Sequence, residues 1–220
     1  MTLLTKHSKH PIEISRVEPA DMLEFAEGQL TAFGTRMYEE LEPPETRAPP
    51  EARYRRFAYR HSRLLSLPSE MPMKAVVGRR IAGCVWVQLG PEIDNQQKRR
   101  IDRMDEESEE EKESWVNFDW EKWTSMLQKY DDVRKEKMGS ERHWYLGPVW
   151  THPDFQGQGI ATALLGRVIQ LADSTKPPTP IYLESSPAGM PVYSKMLEKL
   201  KFLVSSLSRA VVSFLLHSIC

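Results

Sequence analysis

Apolar and polar residues alternate from Ile12 to Val17, which predicts a half-buried strand. Pro19 and Asp21 then open a helix running to about Phe33, with Met22, Leu23, Phe25, Ala26 and Leu30 on its apolar side. "LEPPETRAPPEA" is a proline-rich connection, and "EARYRRFAYRHSRLL" follows as a basic helix. In "MKAVVGRRIAGCVWVQLG" two apolar runs flank Gly78-Arg79-Arg80, the pattern of a β-hairpin. From Pro91 to about Glu113 the chain turns charged and reads as a solvated or disordered segment. "SWVNFDWEKWTSMLQKYDDVRKEKMG" sets Trp115, Phe118, Trp123 and Leu127 at helical spacing, with Trp120 off the stripe. That is an amphipathic helix whose aromatics bury its own face; the sharper alternative is a cap over a substrate cleft. "HWYLGPVWTHP" is a strand disturbed at Gly147-Pro148 and ended at Pro153. Next, Ile160, Leu164, Val168 and Ala172 form one helical stripe, with Ala161, Leu165 and Ile169 beside it. "KPPTP" connects to a strand, "IYLESS", and "AGMPVYSKMLEKLKF" starts a last helix. No internal repeat interrupts the order.

Composition narrows this picture without redrawing it. The 220 residues suffice for one domain with a real core. A formal net charge of −1 calls for neither nucleic acid nor an anionic membrane as partner. The two cysteines, Cys84 and Cys220, match no metal spacing and no disulfide framework, so a reducing, cytoplasmic setting is expected. The first fourteen residues lack the apolar run of a signal peptide. The most apolar stretch, "FLVSSLSRAVVSFLLHSI", is short, serine-rich and interrupted by Arg209, so no membrane span is expected.

The entry to the helix at Ile160 carries the chemistry. Helix starts usually have Ser, Thr, Asp or Asn to accept from free N–H groups. Here the approach is Gln156-Gly157-Gln158-Gly159. Glycines leave those N–H groups bare, beside the positive end of the helix dipole, and an anion such as pyrophosphate is the natural guest. A P-loop would need Gly-Lys-Ser/Thr, whereas Gly159 is followed by Ile160 and Ala161. A dinucleotide fingerprint would need a third glycine right after a strand; Thr162 stands at that position, and Pro153-Asp154-Phe155 intervene.

A third reading fits. Gln156-Gly157-Gln158-Gly159-Ile160-Ala161, preceded by "VWTHPDF", resembles the pyrophosphate loop Q/R-x-x-G-x-G/A of the GNAT acetyltransferase family. "IYLESSPAGMPVYSKM" is similar to that family's next strand and tyrosine-bearing helix, and the element order agrees from Ile12 onward. In "THPDFQGQG", "LESSPAG" and the aromatic insertion the chain looks most like fungal small-molecule N-acetyltransferases. The resemblance covers roughly residues 10 to 200. It implies an α/β (α+β) fold: a mixed central sheet flanked by helices in one domain, residues 10–220. Residues 91–140 would be a charged and aromatic helical insertion before the fourth strand.

The resemblance also implies acetyl-CoA as co-substrate and no metal. The backbone of Val149, Trp150 and Thr151 would pair with the pantetheine arm like an added strand. Gln156, Gly157, Gln158, Gly159, Ile160, Ala161 and Thr162 would hold the pyrophosphate. The acceptor would be a primary amine of a small molecule, attacking the thioester directly. Such an amine must first lose a proton. Tyr193 in "PVYSKM" stands where the family has a tyrosine facing the sulfur. His143, Tyr145 and Glu184 lie near the splayed strands and are the candidates for the base; Glu184 points at the right region as a catalytic residue but could equally accept N–H groups from the "SSPAG" turn. His143 reads as a surface residue, and His152 as structural or loosely near the cofactor. "RYRRFAYRHSR" could bring charge to a phosphate, but a solvated helix face accounts for it more simply.

Past Tyr193 the chain departs from the pattern. The family continues "KLGF" into two long antiparallel strands, whereas this chain reads "KMLEKLKFLVSSLSRAVVSFLLHSIC". One strand's worth of β material is expected, from Arg209 to Leu216. This reads as an atypical, truncated C-terminus. It keeps open a second function, a non-catalytic or degenerate CoA-binding module.

Overall fold

In the computed structural model, residues 2–3, 11–33, 38, 40–90, 108–185, 189–194 and 210–213 are described. The strands are β1 (Thr2–Leu3), β2 (Ile12–Arg16), β3 (Glu70–Val77), β4 (Arg80–Leu89), β5 (Trp144–Thr151), β6 (Ile181–Glu184) and β7 (Ala210–Ser213). The helices are α1 (Met22–Ala32), α2 (Pro50–Leu65), α3 (Glu109–Ser114), α4 (Trp120–Met138) and α5 (Ile160–Asp173), with residues 190–194 also helical. One mixed sheet joins the strands in chain order. Pairing is antiparallel from β1 to β5 and parallel from β5 to β6 and from β6 to β7.

The alternation of β2 buries Ile12 and Ile14, and the β3–β4 hairpin turns at Gly78, whose φ of 66° suits glycine. A parallel neighbour cannot be reached by a tight turn, so α5 makes the crossover from β5 to β6. Its expected stripe, Ile160, Leu164, Val168 and Ala172, is wholly buried against Val85, Val87, Leu146 and Leu183 of the sheet. On the opposite face, α1 and α2 cover Ile81, Cys84, Trp86 and Trp150 through Met22, Phe25 and Leu64.

α1 lies very close to β5. A Cβ on Gly28 would come within 2.4 Å of the Trp150 indole, which Phe25 braces at 5.8 Å between ring centroids. Gly28→Val forces the indole out of place and costs about 3 kcal/mol by overpacking. The thermal midpoint is expected to fall by roughly 6–12 °C in a domain of this size, read by circular dichroism melts.

Several sequence expectations need correction. The aromatic segment is not one helix. Asp119 caps α4 by accepting from the Lys122 N–H, so the helix starts at Trp120, and residues 115–117 form a turn. Trp115 and Phe118 pack with Tyr38, Leu41 and Phe57, and Trp120 joins them although it lay off the predicted stripe. The basic helix α2 is not simply a solvated face: Arg56 is 1% exposed and ion-paired to Glu42. The charged stretch from Pro91 lies outside the described residues as far as 107, and α3 then begins at Glu109. Of the strand expected between Arg209 and Leu216, residues 210–213 pair with β6. Among the described residues no helix is long and apolar enough to cross a membrane.

Candidate active site

The site forms where β5 leaves β6. The two pair only through Trp144, Tyr145 and Leu146 against Ile181, Tyr182 and Leu183. The cause is Gly147-Pro148. On the other edge Val85 pairs with Val149 and Val87 with Leu146, so two residues of β5 oppose the single residue Trp86. Such a bulge bends its strand. Proline also removes an N–H from the ladder. Beyond it, Val149–Thr151 stays paired with β4 through Gly83, Cys84 and Val85, while its edge toward β6 carries no pairing among the described residues. An extended ligand can add itself there as a strand does.

That open edge leads to the loop. His152 Nδ1 accepts from the Asp154 N–H at 3.2 Å and starts a short turn, Pro153–Phe155. Arg80 holds the turn from the hairpin, donating to Asp154 Oδ2 at 2.9 Å. The Gln158 amide donates to the Asp154 carbonyl at 3.2 Å. Gly157 and Gly159 then take left-handed conformations, φ 74° and 85°. The first intrahelical acceptor, the Gly159 carbonyl, is used by Ala163 at 2.9 Å, and Gly159 makes no side-chain cap. Among the described residues no acceptor meets the N–H groups of Gly157, Gly159, Ile160, Ala161 or Thr162. A left-handed glycine feeding a bare helix start is an anion cradle in its backbone alone.

Glu184 ends β6 at the mouth of the splay. Burial pushes its carboxyl up to about 6, while the Tyr145 and Tyr182 hydroxyls and the Arg134 charge pull the other way. Its Oε1 is buried with no donor at hydrogen-bonding distance among the described residues. Tyr193 packs against the α5-side core, and burial raises its phenol to about 12.

The sequence matches the family described as "Acetyltransferase (GNAT) family" over residues 34–197, most of the chain. The chain belongs to the GNAT acetyltransferase family. No curated protein matches it. Among solved structures it is similar to a transcriptional regulator from Bacillus halodurans (15% identity, 91% of this chain and 98% of that one, TM-score 0.48). A second is an aminoglycoside acetyltransferase from an uncultured soil metagenomic sample, in complex with sisomicin (10%, 92% and 95%, TM-score 0.47). A third is a ribosomal-protein-alanine N-acetyltransferase from Brucella melitensis (16%, 92% and 99%, TM-score 0.44). Likenesses at this level carry no argument about substrate.

Within this GNAT domain the expected residues fall into two groups. Val149–Thr151 forms the unpaired β5 edge and Gln156–Thr162 the loop into α5, in which the Gln156 and Gln158 N–H groups are already taken by the Pro153 and Phe155 carbonyls. The Trp150 side chain does not line that edge: it is buried on the α1 face, so only its backbone faces the edge. Glu184 and Tyr193 belong to opposite faces of the sheet, Glu184 with Tyr182 and Tyr193 with the α5 core. His143 is not a surface residue. It is buried, its Nδ1 lies 2.6 Å from the Glu141 carbonyl, and burial lowers its pKa. Residues 186–188, the middle of the "SSPAG" turn that Glu184 was expected to serve, lie outside the described residues. Trp86, Tyr182 and Arg134 are near the site and were not anticipated. A tryptophan opposite Gly147-Pro148 was the available signal, but it needs the register of two strands 60 residues apart. Among the described residues no cluster of three or more His, Cys, Asp or Glu could hold a metal.

Proposed function

We propose that this chain transfers the acetyl group of acetyl-CoA to a primary amine of a small molecule. The family's co-substrate is acetyl-CoA, and the observation that carries the reading is the bare group of N–H donors at the α5 start, reached by one short turn from the unpaired β5 edge. The pantetheine arm lies along Val149–Thr151 and the pyrophosphate sits on the N–H groups of Gly157, Gly159, Ile160, Ala161 and Thr162. The amine nitrogen attacks the thioester carbonyl carbon, and the C–S bond then breaks. A backbone N–H of the Val149–Thr151 strand supports the developing oxyanion. Before the attack the ammonium gives one proton toward Glu184, directly or through water, and after it the nitrogen loses a second proton to solvent as the intermediate collapses. Tyr193 faces the departing sulfur. A phenol near 12 is a poor proton donor to a thiolate whose thiol has a pKa of about 8.5. Its part is a hydrogen bond that stabilises the thiolate, which then takes its proton from solvent. In this reading the enzyme works in the cytoplasm, and Cys84, buried and free, plays no part.

Thiol release from acetyl-CoA on adding amine tests the reading. Amine-dependent release supports a transferase. Tight acetyl-CoA binding without release under any amine identifies a non-catalytic CoA-binding module instead.

Glu184 gives the pH test. The groups that bear on it are Tyr145, Tyr182 and Arg134, and only its carboxylate form accepts a proton. The parent's kcat/KM is expected to rise as pH climbs through about 6. Glu184→Gln flattens that limb and lowers the plateau by roughly 10²–10⁴. Stability moves the opposite way. The folded pKa lies above the ordinary 4.5, so this group's contribution is full below 4.5 and is lost as pH rises through about 6. Denaturation across that window reports the same group without catalysis.

A further inference from the structure

Register sets a row of side chains across one face of the sheet. Glu70 pairs with Gln88, Gln88 with Tyr145, and Tyr145 with Tyr182, so these four stand side by side on successive strands. All four are buried. Two residues further along each strand the next row reads Pro72, Trp86, Gly147 and Glu184. Gly147 has no side chain, so this second row has a gap in its middle. A Cβ built there would lie 3.6 Å from the Trp86 Cβ and 3.3 Å from the Trp86 carbonyl, with no other described residue beyond its chain neighbours within 4 Å. The gap therefore opens on the same face as Trp86. Where the strands still pair, two strand spacings, about 10 Å, separate β4 from β6, and past Leu146 and Leu183 the ladder between β5 and β6 ends.

The walls are fixed. Trp86 Nε1 donates to Glu70 Oε2 at 2.5 Å, and the rings of Phe25 and His61 brace the indole at 5.5 and 5.1 Å. Tyr145 forms the floor, stacked on Tyr182 at 6.1 Å and covered by the Arg134 guanidinium at 5.5 Å. Arg134 is ion-paired with Asp131 at 3.1 Å. Glu184 is the one carboxylate in the row that holds the gap.

Resting on the transferase reading, we infer that the gap over Gly147 seats the acceptor, and that the acceptor is an amine carrying one charge on a flat apolar body. The Trp86 indole bounds the gap with apolar aromatic surface that suits a flat apolar group. The Glu184 carboxylate pairs with one ammonium, next to the open edge assigned to the thioester, while the carboxylate of the adjoining row, Glu70, is engaged by Trp86 Nε1. A polyamine would bring further charges with no partner in this row, and unpaired buried charge is strongly disfavoured.

The test uses three probes, phenethylamine, spermidine and a short peptide with a free N-terminus, with the full chain. Acetyl-CoA affinity is measured separately by calorimetry. Phenethylamine is expected to give the highest kcat/KM of the three. Gly147→Val fills the gap and lowers kcat/KM for phenethylamine by roughly 10–200-fold, the range for a methylene-scale change in an apolar pocket. Acetyl-CoA affinity stays within about threefold of the parent, a change under 1 kcal/mol. Gly147→Ala, whose Cβ needs only a small yield from the Trp86 carbonyl, gives a smaller loss in the same direction and stands in where valine disturbs the strand. Intact acetyl-CoA binding with spermidine or peptide preferred overturns the inference, as does unchanged phenethylamine kinetics in both variants. Failure of the parent to bind acetyl-CoA instead overturns the transferase reading, and this inference with it.

Discussion

Gly159→Glu abolishes acetyl-CoA binding, the largest functional effect expected of any single change here. Three terms point the same way. Gly159 sits at φ 85°, where a side chain costs about 1–2 kcal/mol. The new side chain adds bulk at the residue that leads into the bare helix start, beside the N–H groups assigned to the pyrophosphate. Its charge would then lie near another anion. At about 4 Å and an effective dielectric of 20 that repulsion is about 4 kcal/mol, roughly a thousandfold in Kd. Calorimetry of parent and variant reads the loss. Gly159→Ala isolates the strain: it keeps the backbone N–H groups and adds no charge, so binding weakens but survives. Equal loss in both would mean that backbone conformation, not anion binding, governs the loop. Unchanged affinity in the glutamate variant would place the cofactor elsewhere.

What could be read before the structure depended on how local the cause was. The α5 stripe, the β3–β4 hairpin and the glycine approach to Ile160 are set by neighbours within a few residues, and all three stand where expected. The site wall is not local. That Trp86 faces Gly147 depends on strands joined only after α3 and α4 have intervened. His143 looked polar and therefore exposed, yet a single carbonyl, Glu141 O, meets its Nδ1 and allows its burial. Trp115, Phe118, Trp123 and Leu127 kept helical spacing, but Asp119 accepts the Lys122 N–H and restarts the helix at Trp120. A capping bond worth about 1 kcal/mol outcompetes continuity of the pattern there. The basic helix hides the sharpest case, because charge alone does not reveal that a partner waits in a proline-rich connection.

Glu42→Ala is expected to be the most destabilising substitution outside the sheet. Glu42 and Arg56 are each 1% exposed. Glu42 Oε2 accepts from Arg56 at 2.7 Å and from Arg53 at 3.0 Å, and its Oε1 faces the Ala48 N–H at 3.3 Å. Arg56 also donates to the Ser114 carbonyl and lies over the Trp115 ring at 4.0 Å, so one guanidinium joins α2 to the end of α3. Burial already lowers the Arg56 pKa, with Glu42 the main influence opposing it. Alanine at 42 leaves that cation in place without its counter-charge. Breaking one side of such a pair costs about 3–5 kcal/mol, against near neutrality when both partners are replaced by apolar residues. The thermal midpoint should therefore fall by roughly 6–20 °C in Glu42→Ala. The double variant Glu42→Leu with Arg56→Met recovers most of the loss. A fall under about 1 kcal/mol in the single variant would show an ion pair as weak as a solvent-exposed one, despite its burial. The consequence reaches the site: α2 carries His61 against Trp86, so a loosened α2 also loosens the wall over Gly147. Amine KM is then expected to rise in Glu42→Ala at temperatures well below its melt, while acetyl-CoA affinity, set on the far side of the sheet, holds.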